Sequence, residues 1–99
     1  MDKVAVIGMG YVGIPVAAII ADSGISTIGI DIDENKVDSL NLGDYPIDGS
    51  EPGIQELIEE VIGNGKLRCT TDYNLARDSD IWIICVQTPF DVKKMQPNL

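Results

Sequence analysis

A glycine-rich hexapeptide directly after a short apolar run constrains the fold of this chain more than any other feature. Residues 4–7 read V-A-V-I, and residues 8–13 read G-M-G-Y-V-G, with the spacing G-x-G-x-x-G. An apolar run that ends at glycine predicts a strand buried on both faces. Over residues 11–22 the apolar pattern becomes helical, and one face carries Val12, Val16, Ile19 and Ile20. The glycines are therefore predicted to form a tight turn between a strand and a helix.

An acidic residue completes this pattern at the end of the next predicted strand. Residues 26–31 are rich in β-branched side chains, which favours a strand, and Asp31 follows Gly13 by 18 residues. A strand, a G-x-G-x-x-G turn that opens a helix, and an acidic residue at this distance together form the dinucleotide-binding fingerprint. The sequence therefore predicts a binding site for an adenine dinucleotide.

Each glycine of the hexapeptide has its own physical role in such a site. Gly8 permits the tight turn, and Gly10 lets a pyrophosphate approach the main chain because no Cβ intervenes. Gly13 lets the helix and the strand lie close together. The pyrophosphate is expected at the N terminus of the helix, where it faces unpaired N–H groups and the positive end of the helix dipole.

Asp31 is the expected acceptor for the hydroxyls of the adenosine ribose. A carboxylate repels a 2′-phosphate, and the following Ile32 and Asp33 offer no arginine to bind one, so NAD is predicted rather than NADP. Lys36 is within reach of the same ribose, although an ordinary solvated helix lysine explains this residue equally well. Thr88 follows the last predicted strand, at the sheet edge where open α/β folds bind ligands, and the alternative explanation for this residue is a turn-forming Thr-Pro pair.

Strand and helix patterns alternate along the rest of the chain. The predicted elements are helices over 33–43, 54–62 and 72–77 and strands over 67–70 and 81–86. Asp33 and Asp72 are the expected N-caps of the first and last of these helices. Six consecutive apolar residues over 81–86 are typical of a central parallel strand. We therefore predict an α/β fold: a Rossmann-type parallel sheet with helices on both faces, truncated to four strands in the order 3-2-1-4.

Composition and charge exclude several classes of function. Sixteen acidic and seven basic side chains give a net charge of −9, which repels a nucleic-acid backbone, so no nucleic-acid partner is expected. The chain contains no histidine, which excludes Ser-His and Cys-His catalysis, and no metal site is expected. No apolar run approaches the roughly 20 residues of a membrane helix, and no signal-peptide pattern is present. We expect a cytoplasmic protein without a membrane partner, in which Cys69 and Cys85 are buried structural thiols.

Four segments resemble the N-terminal NAD-binding domain of the UDP-glucose/GDP-mannose dehydrogenase family, and together they span the chain. Residues 6–15 are similar to the family's G-x-G-Y-[VI]-G-[LI]-P opening, in which Tyr11 and Pro15 are far more specific than the glycines. Residues 29–33, with Lys36 and Val37, resemble its second strand and the following helix. The other two segments are 51–54 (E-P-G-I), after a G-x-x-P turn at 43–46, and 85–89 (C-V-Q-T-P), with 97–99 (P-N-L) where P-D-[LM] is common.

The resemblance implies a nucleotide-sugar 6-dehydrogenase, which oxidises a sugar C6 hydroxyl to a carboxylate with two NAD molecules through a cysteine thioester. It implies pyrophosphate contacts from residues 10–12, adenosine-ribose contacts from Asp31 and Lys36, and a nicotinamide-side ribose contact from Thr88. The family's catalytic cysteine, lysine and asparagine belong to downstream segments. Residues 1–99 are therefore expected to be an NAD-binding fragment without the central helix and the C-terminal sugar-binding domain. No catalytic residue is assigned, and the fragment alone is predicted to be inactive.

The expected partner is a nucleotide-sugar substrate bound through the missing domains, and the protein is expected to be a homo-oligomer. Residues 87–90 (Q-T-P-F) favour UDP-N-acetylmannosamine or UDP-N-acetylglucosamine over UDP-glucose. Two alternatives share the glycine fingerprint. One is a non-catalytic NAD-sensing regulatory domain of the potassium-channel type, and the other is an NAD-dependent dehydrogenase of the 6-phosphogluconate or 3-hydroxyacyl-CoA type. Tyr11, Pro15 and the Thr88-Pro89 pair favour the nucleotide-sugar enzyme.

Overall fold

Four parallel strands form one sheet in the order β3-β2-β1-β4. The computed structural model describes residues 2–46 and 53–85, together with a short strand pair at 90–91 and 96–97. The strands of the sheet are β1 (Lys3–Ile7), β2 (Ser26–Ile30), β3 (Leu67–Thr70) and β4 (Ile81–Ile84). The helices are α1 (Gly13–Asp22), α2 (Glu34–Asn41), α3 (Ile54–Gly63) and a 3-10 helix (Tyr73–Ala76). The predicted fold class and strand order are confirmed.

Helical segments lie on both faces of the sheet, because β2 and β3 are added on one side of β1 and β4 is added on the other. The helices α1, α2 and α3 pack in one hydrophobic cluster against strand side chains, which are Val4, Val6, Leu67 and Cys69. Side chains alternate between the two faces of a strand, so the opposite face carries the second cluster. That cluster consists of Ala5, Ile7, Ile28, Ile30 and Ala76 of the 3-10 helix. The connection from β3 to β4 therefore runs on the face opposite α1, and the point where the strand order reverses lies beside β1.

The buried face of α1 differs from the one that the apolar pattern predicts. Its buried residues are Gly13, Ile14, Ala17, Ala18 and Ala21. Val12 and Ile19, which the pattern places on one apolar face, are 62% and 63% exposed, so that face is not the buried one. The reason is the close approach of helix and sheet, since a Cβ built on Gly13 would overlap the carbonyl oxygen of Gly8. Apart from Ile14, the residues buried along that line of contact are glycine and alanine, whereas the bulkier Val12 and Ile19 are exposed.

The predicted helix starts and stops are largely confirmed. Asp33 Oδ1 accepts hydrogen bonds from the amides of Asn35 (3.0 Å) and Lys36 (3.2 Å), which caps α2. Asp72 Oδ1 accepts from the Asn74 amide at 2.9 Å, but the segment that it caps is a 3-10 helix of four residues. The helix α1 begins at Gly13, two residues later than predicted, because the preceding residues form the turn.

The sequence pattern does not predict one short element. The strands β5 (Phe90–Asp91) and β6 (Gln96–Pro97) form an antiparallel pair. Two-residue strands are too short for a period of two to be recognised, so the pattern contains no indication of them. The predicted last residue of β4, Val86, lies outside the described residues.

A side chain caps one residue at the β3 edge of the sheet. The Nδ2 group of Asn41 donates to the carbonyl oxygen of Cys69 at 2.8 Å, and Oδ1 of Asn41 accepts from the amide of Cys69 at 2.9 Å. Asn41 is the last residue of α2, so the end of this helix satisfies both main-chain groups of one strand residue. In this way, a side-chain amide takes the place of a neighbouring strand at the middle of β3.

The opposite edge, β4, presents apolar side chains to solvent in the described part of the chain. Ile81, Trp82 and Ile84 are all exposed, and Ile84 is 71% exposed. An apolar edge strand is a template for pairing with another chain, so we predict that this chain self-associates through β4. Light scattering at increasing concentration is expected to give a rising mass. A lysine at Ile84 is expected to suppress the rise, since edge charges oppose pairing.

The matched control for this experiment is Ile19→Lys, at an isoleucine of similar exposure (63%) that lies on α1 and not on β4. Ile19→Lys adds the same charge and removes a similar apolar surface, yet it should leave the association unchanged. A wild-type chain that stays monomeric at high concentration would contradict the prediction, as would equal suppression by both variants.

Candidate functional site

A cleft of about 230 Å³ opens where β1 and β2 end and α1 begins. Its lining residues are Gly8, Gly10, Tyr11, Val12, Asp31, Ile32, Lys36 and Cys85. Most of the residues predicted for the site are therefore brought together, although they come from two separate stretches of the chain, 8–12 and 31–36. Gly13 lies beneath the cleft, where α1 touches the β1 turn. Thr88 lies outside the described residues.

The glycine-rich turn leaves an open space above Gly10. Gly8 adopts a left-handed φ of 95°, which glycine tolerates without strain, and its amide donates to the carbonyl oxygen of Ile30 at 2.7 Å. A Cβ built on Gly10 meets no atom within 4 Å, so the space on that side of the main chain belongs to the cleft. The structure thus fits the separate roles predicted for Gly8 and Gly10.

The first turn of α1 is open to an anionic ligand. Val12 stands at the N-cap position and has no side-chain oxygen to cap the helix, and the first turn contains no acidic residue. The first amides of an α-helix have no intrahelical partner, and the helix dipole adds positive potential around them. An anion in the cleft would meet these amides without competition from a side chain of the first turn.

Asp31 holds a carboxylate at the rim of the cleft through three contacts. Its Oδ2 accepts from the Met9 amide at 2.8 Å and lies 3.4 Å from Lys36 Nζ, and its Oδ1 accepts from the Asp33 amide at 2.9 Å. The side chain is 11% exposed. Burial raises the pKa of this carboxyl, but the amides of Asp33 and Met9 and the Lys36 charge outweigh it and hold the pKa below its usual value. Asp31 is therefore ionised at neutral pH.

Sequence reasoning missed two residues of the cleft. Ile32 is 90% exposed and presents an apolar side chain beside Asp31, where the sequence indicates only that an arginine is absent. Cys85 lines the cleft and is partly exposed, so its prediction as a buried thiol is wrong. A single cysteine at the end of an apolar strand gives no sequence indication of which side it faces.

Cys69 is buried in the core, as predicted. Burial, followed by the nearby Asp31 charge, raises the pKa of its thiol to about 12, so the thiolate needed for nucleophilic chemistry does not form at neutral pH. Across 2–46 and 53–85, no cluster of three cysteine, aspartate or glutamate side chains is placed to bind a metal ion. None of the helices in the same ranges combines the length and the apolar character that crossing a membrane requires.

A parallel sheet with a glycine turn, an uncapped helix N terminus and an ionised carboxylate at the end of β2 defines a dinucleotide-binding domain of the Rossmann type. Comparison with known proteins narrows this class. The family model described as the NAD-binding domain of the UDP-glucose/GDP-mannose dehydrogenase family matches residues 2–99. The chain belongs to this family and is an NAD-binding domain.

Individual relatives agree with this assignment. The chain is 45% identical, over 98 residues, to a UDP-N-acetyl-D-mannosamine dehydrogenase from Campylobacter jejuni, covering 99% of this chain and 23% of that protein. It is 44% identical, over 87 residues, to a UDP-glucose 6-dehydrogenase from Haloferax volcanii, covering 88% of this chain and 20% of that protein. A ternary complex of GDP-mannose dehydrogenase from Pseudomonas aeruginosa superposes with a TM-score of 0.87 at 36% identity, covering 96% of this chain and 21% of that one. The chain thus spans about a fifth of the length of these relatives.

Proposed function

We propose that this chain is the cofactor-binding part of a nucleotide-sugar 6-dehydrogenase. The observation that carries the proposal is the placement of an ionised Asp31 and the open N terminus of α1 in one cleft. The family membership supports the same conclusion, since the relatives are sugar dehydrogenases. A regulatory NAD-sensing domain and a dehydrogenase of another family are less consistent with a family match over residues 2–99.

The residues of the cleft fit the parts of NAD one by one. We assign the pyrophosphate to the main chain of residues 10–12, because the side of Gly10 is open and the amides that follow have no side-chain cap. We assign the adenosine ribose to Asp31, whose carboxylate accepts hydrogen bonds from hydroxyls, with Lys36 beside it. A role for Thr88 at the nicotinamide-side ribose is proposed from the resemblance alone.

In this assignment the chain binds and orients the cofactor and leaves the sugar chemistry to other segments. NAD, when bound, supplies the acceptor for the hydride that leaves the sugar C6 carbon. The turn at Gly8 and the close contact at Gly13 fix α1 relative to the sheet, so the diphosphate is held at one place. Cys69 is excluded as a nucleophile by its burial and its raised pKa. We therefore propose that residues 1–99 bind NAD but do not turn over substrate alone.

The sugar is proposed to be UDP-N-acetylmannosamine or UDP-N-acetylglucosamine. The C. jejuni relative is named for the first of these, while other relatives are named for UDP-glucose and GDP-mannose. This variety among similarly related proteins fits a sugar site built mainly by segments beyond the cofactor domain. An assay of the full-length protein with each nucleotide sugar tests the choice, and two NAD molecules should be reduced for each sugar oxidised. A parent gene that continues into a glycine-rich cysteine motif would support the dehydrogenase, and one that continues into a channel pore would contradict it.

Titration of the chain with NAD and NADP tests the cofactor assignment directly. We expect NAD to bind more tightly by about tenfold or more, because the Asp31 carboxylate repels a 2′-phosphate and Ile32 cannot bind one. Isothermal titration calorimetry of both cofactors under the same conditions gives the ratio. Equal affinity for NAD and NADP would contradict the role proposed for Asp31.

A further inference from the structure

The second residue of the hexapeptide, Met9, lies on the opposite side of the turn from the cleft. Its side chain is completely buried in the main core cluster, whereas Tyr11 and Val12 are exposed. Met9 does not line the cleft, although the residues on either side of it do. The turn is therefore amphipathic, with one residue anchored in the core and its neighbours facing the cofactor site.

The Met9 side chain occupies a slot that exists because β2 carries a glycine. A Cβ built on Gly29 would lie 2.7 Å from both Sδ and Cε of Met9, which is too close for either atom, and 3.2 Å from its Cγ, which is a tight contact. A glycine in the middle of a strand weakens the strand, since it loses more conformational freedom and packs no side chain. Gly29 is thus an intrinsically unfavourable strand residue at the one place where the methionine needs room.

Two hydrogen bonds join the same two segments. The Gly8 amide donates to the carbonyl oxygen of Ile30 at 2.7 Å, and the Met9 amide donates to Asp31 Oδ2 at 2.8 Å. Residues 8–9 of the turn are therefore attached to residues 29–31, at the end of β2, by one packing contact and two hydrogen bonds. The segment that carries the carboxylate assigned to the ribose therefore also fixes the position of the turn relative to β2.

We propose that Met9 and Gly29 are positioning residues for the dinucleotide. The Met9 side chain packs against Gly29 and thereby fixes the distance of the glycine-rich turn from β2, so that the amides of the turn can bind the pyrophosphate. This proposal rests on the proposed function, because it assumes that NAD binds at this turn. Neither residue touches the cleft, so both act through the main chain of residues 8–12. A turn held in place before binding loses less freedom when the ligand arrives.

The test is Gly29→Ala in the whole 99-residue chain. Taken alone, alanine should favour the strand and restrict the unfolded chain, so a local effect would stabilise the protein. We expect instead that NAD affinity falls by about tenfold, because the fully buried Met9 side chain has to move and we expect its displacement to shift the turn that carries it. Gly63→Ala makes the same chemical change where a Cβ meets no atom within 4 Å, and it should leave the affinity unchanged.

A double-mutant cycle separates positioning from general damage. Met9→Ala removes all three atoms that the methyl added by Gly29→Ala would strike, so in that background Gly29→Ala is expected to change NAD affinity by less than about twofold. Met9→Ala alone introduces no clash and keeps the proposal testable if Gly29→Ala does not fold. It should weaken NAD binding by about threefold or more, since the turn loses its anchor. The amide resonances of Met9 and Asp31, recorded without cofactor, should shift in Gly29→Ala and not in Gly63→Ala.

The outcomes distinguish this proposal from the one on which it rests. A wild-type chain that does not bind NAD overturns both. If the wild type binds NAD but Gly29→Ala binds it equally well, or loses the same affinity with and without Met9, the positioning role is wrong and the cofactor assignment stands. A variant that unfolds more easily while its folded form binds NAD normally would show that the slot serves stability alone.

Discussion

Alanine at Gly10 and alanine at Gly13 are expected to fail in opposite ways, although the two glycines belong to the same turn. At Gly10 an added methyl meets no atom of the protein, so Gly10→Ala should fold with stability within about 0.5 kcal/mol of the wild type. The methyl projects into the space assigned to the pyrophosphate, so NAD affinity should fall by about tenfold or more. The variant is expected to be a well-folded protein that has lost its ligand.

At Gly13 the same methyl overlaps the carbonyl oxygen of Gly8, which is main chain and cannot rotate away. Either α1 moves off the sheet or the β1 turn distorts, and both separate the alanine face of α1 from the core. We expect Gly13→Ala to lower the free energy of unfolding by about 3 kcal/mol or more, at the upper end for an overpacked core. For a small domain of marginal stability, this is a large part of the total.

Urea unfolding followed by circular dichroism measures the stability of each variant, and calorimetric titration with NAD measures its affinity. Gly63→Ala serves as the control for both, since its Cβ also meets open space but lies at the end of α3, away from the cleft. A Gly10→Ala variant that binds NAD like the wild type would contradict the assignment of the pyrophosphate to the space beside Gly10. A Gly13→Ala variant of unchanged stability would contradict the close approach of α1 to β1.

Replacing Asp31 with alanine is expected to weaken NAD binding by about 1–3 kcal/mol, the usual value of hydrogen bonds to a charged acceptor. Two effects add in this variant. The ribose hydroxyls lose their acceptor. The Met9 amide loses its hydrogen bond to Asp31 Oδ2 (2.8 Å), which attaches the turn to the end of β2. In this variant Lys36 keeps its charge but loses the Asp31 carboxylate, which lies 3.4 Å from its Nζ atom. The unpaired lysine can then attract the 2′-phosphate of NADP, so the preference for NAD over NADP should become smaller. Calorimetry with both cofactors measures the two changes together.

Asp78→Ala is the matched control for Asp31→Ala. Asp78 also pairs with a lysine, Lys3, at 2.7 Å, but this pair lies at the opposite end of β1 and is well exposed at the aspartate. The substitution removes the same charge from an acidic protein, so a general electrostatic effect on an anionic cofactor would appear in both variants. Unchanged NAD affinity in Asp31→Ala, or an equal change in Asp78→Ala, would contradict the specific role of Asp31.

The parts of this fold that the sequence predicts are those with local causes. The turn at Gly8, the caps at Asp33 and Asp72, and the spacing from Gly13 to Asp31 each follow from a few neighbouring residues, and the strand order follows from the handedness of the crossovers. Much of the cleft could be predicted for the same reason, since the glycine fingerprint contains most of it.

The parts that could not be predicted depend on contacts between distant segments. The outward turn of Val12 and Ile19 results from how closely α1 approaches the sheet, which no helical period reveals. Met9 and Gly29 pack against each other although they lie twenty positions apart in the chain. A glycine in a strand pattern does not indicate which side chain fills the space beside it. Cys85 faces the cleft because of where β4 ends beside β1.

The two hydrogen bonds between Asn41 and Cys69 obstruct strand pairing at the middle of β3, which bears on the size of the assembly predicted for this chain. A sheet that can pair with another copy at both of its edges grows into a filament. A sheet that can pair at one edge only binds a single partner. Within the ranges described above, β4 is the other edge of the sheet, and its side chains Ile81, Trp82 and Ile84 are exposed. Pairing of two β4 edges about a twofold axis would use both of them, so we expect the predicted association to stop at two copies.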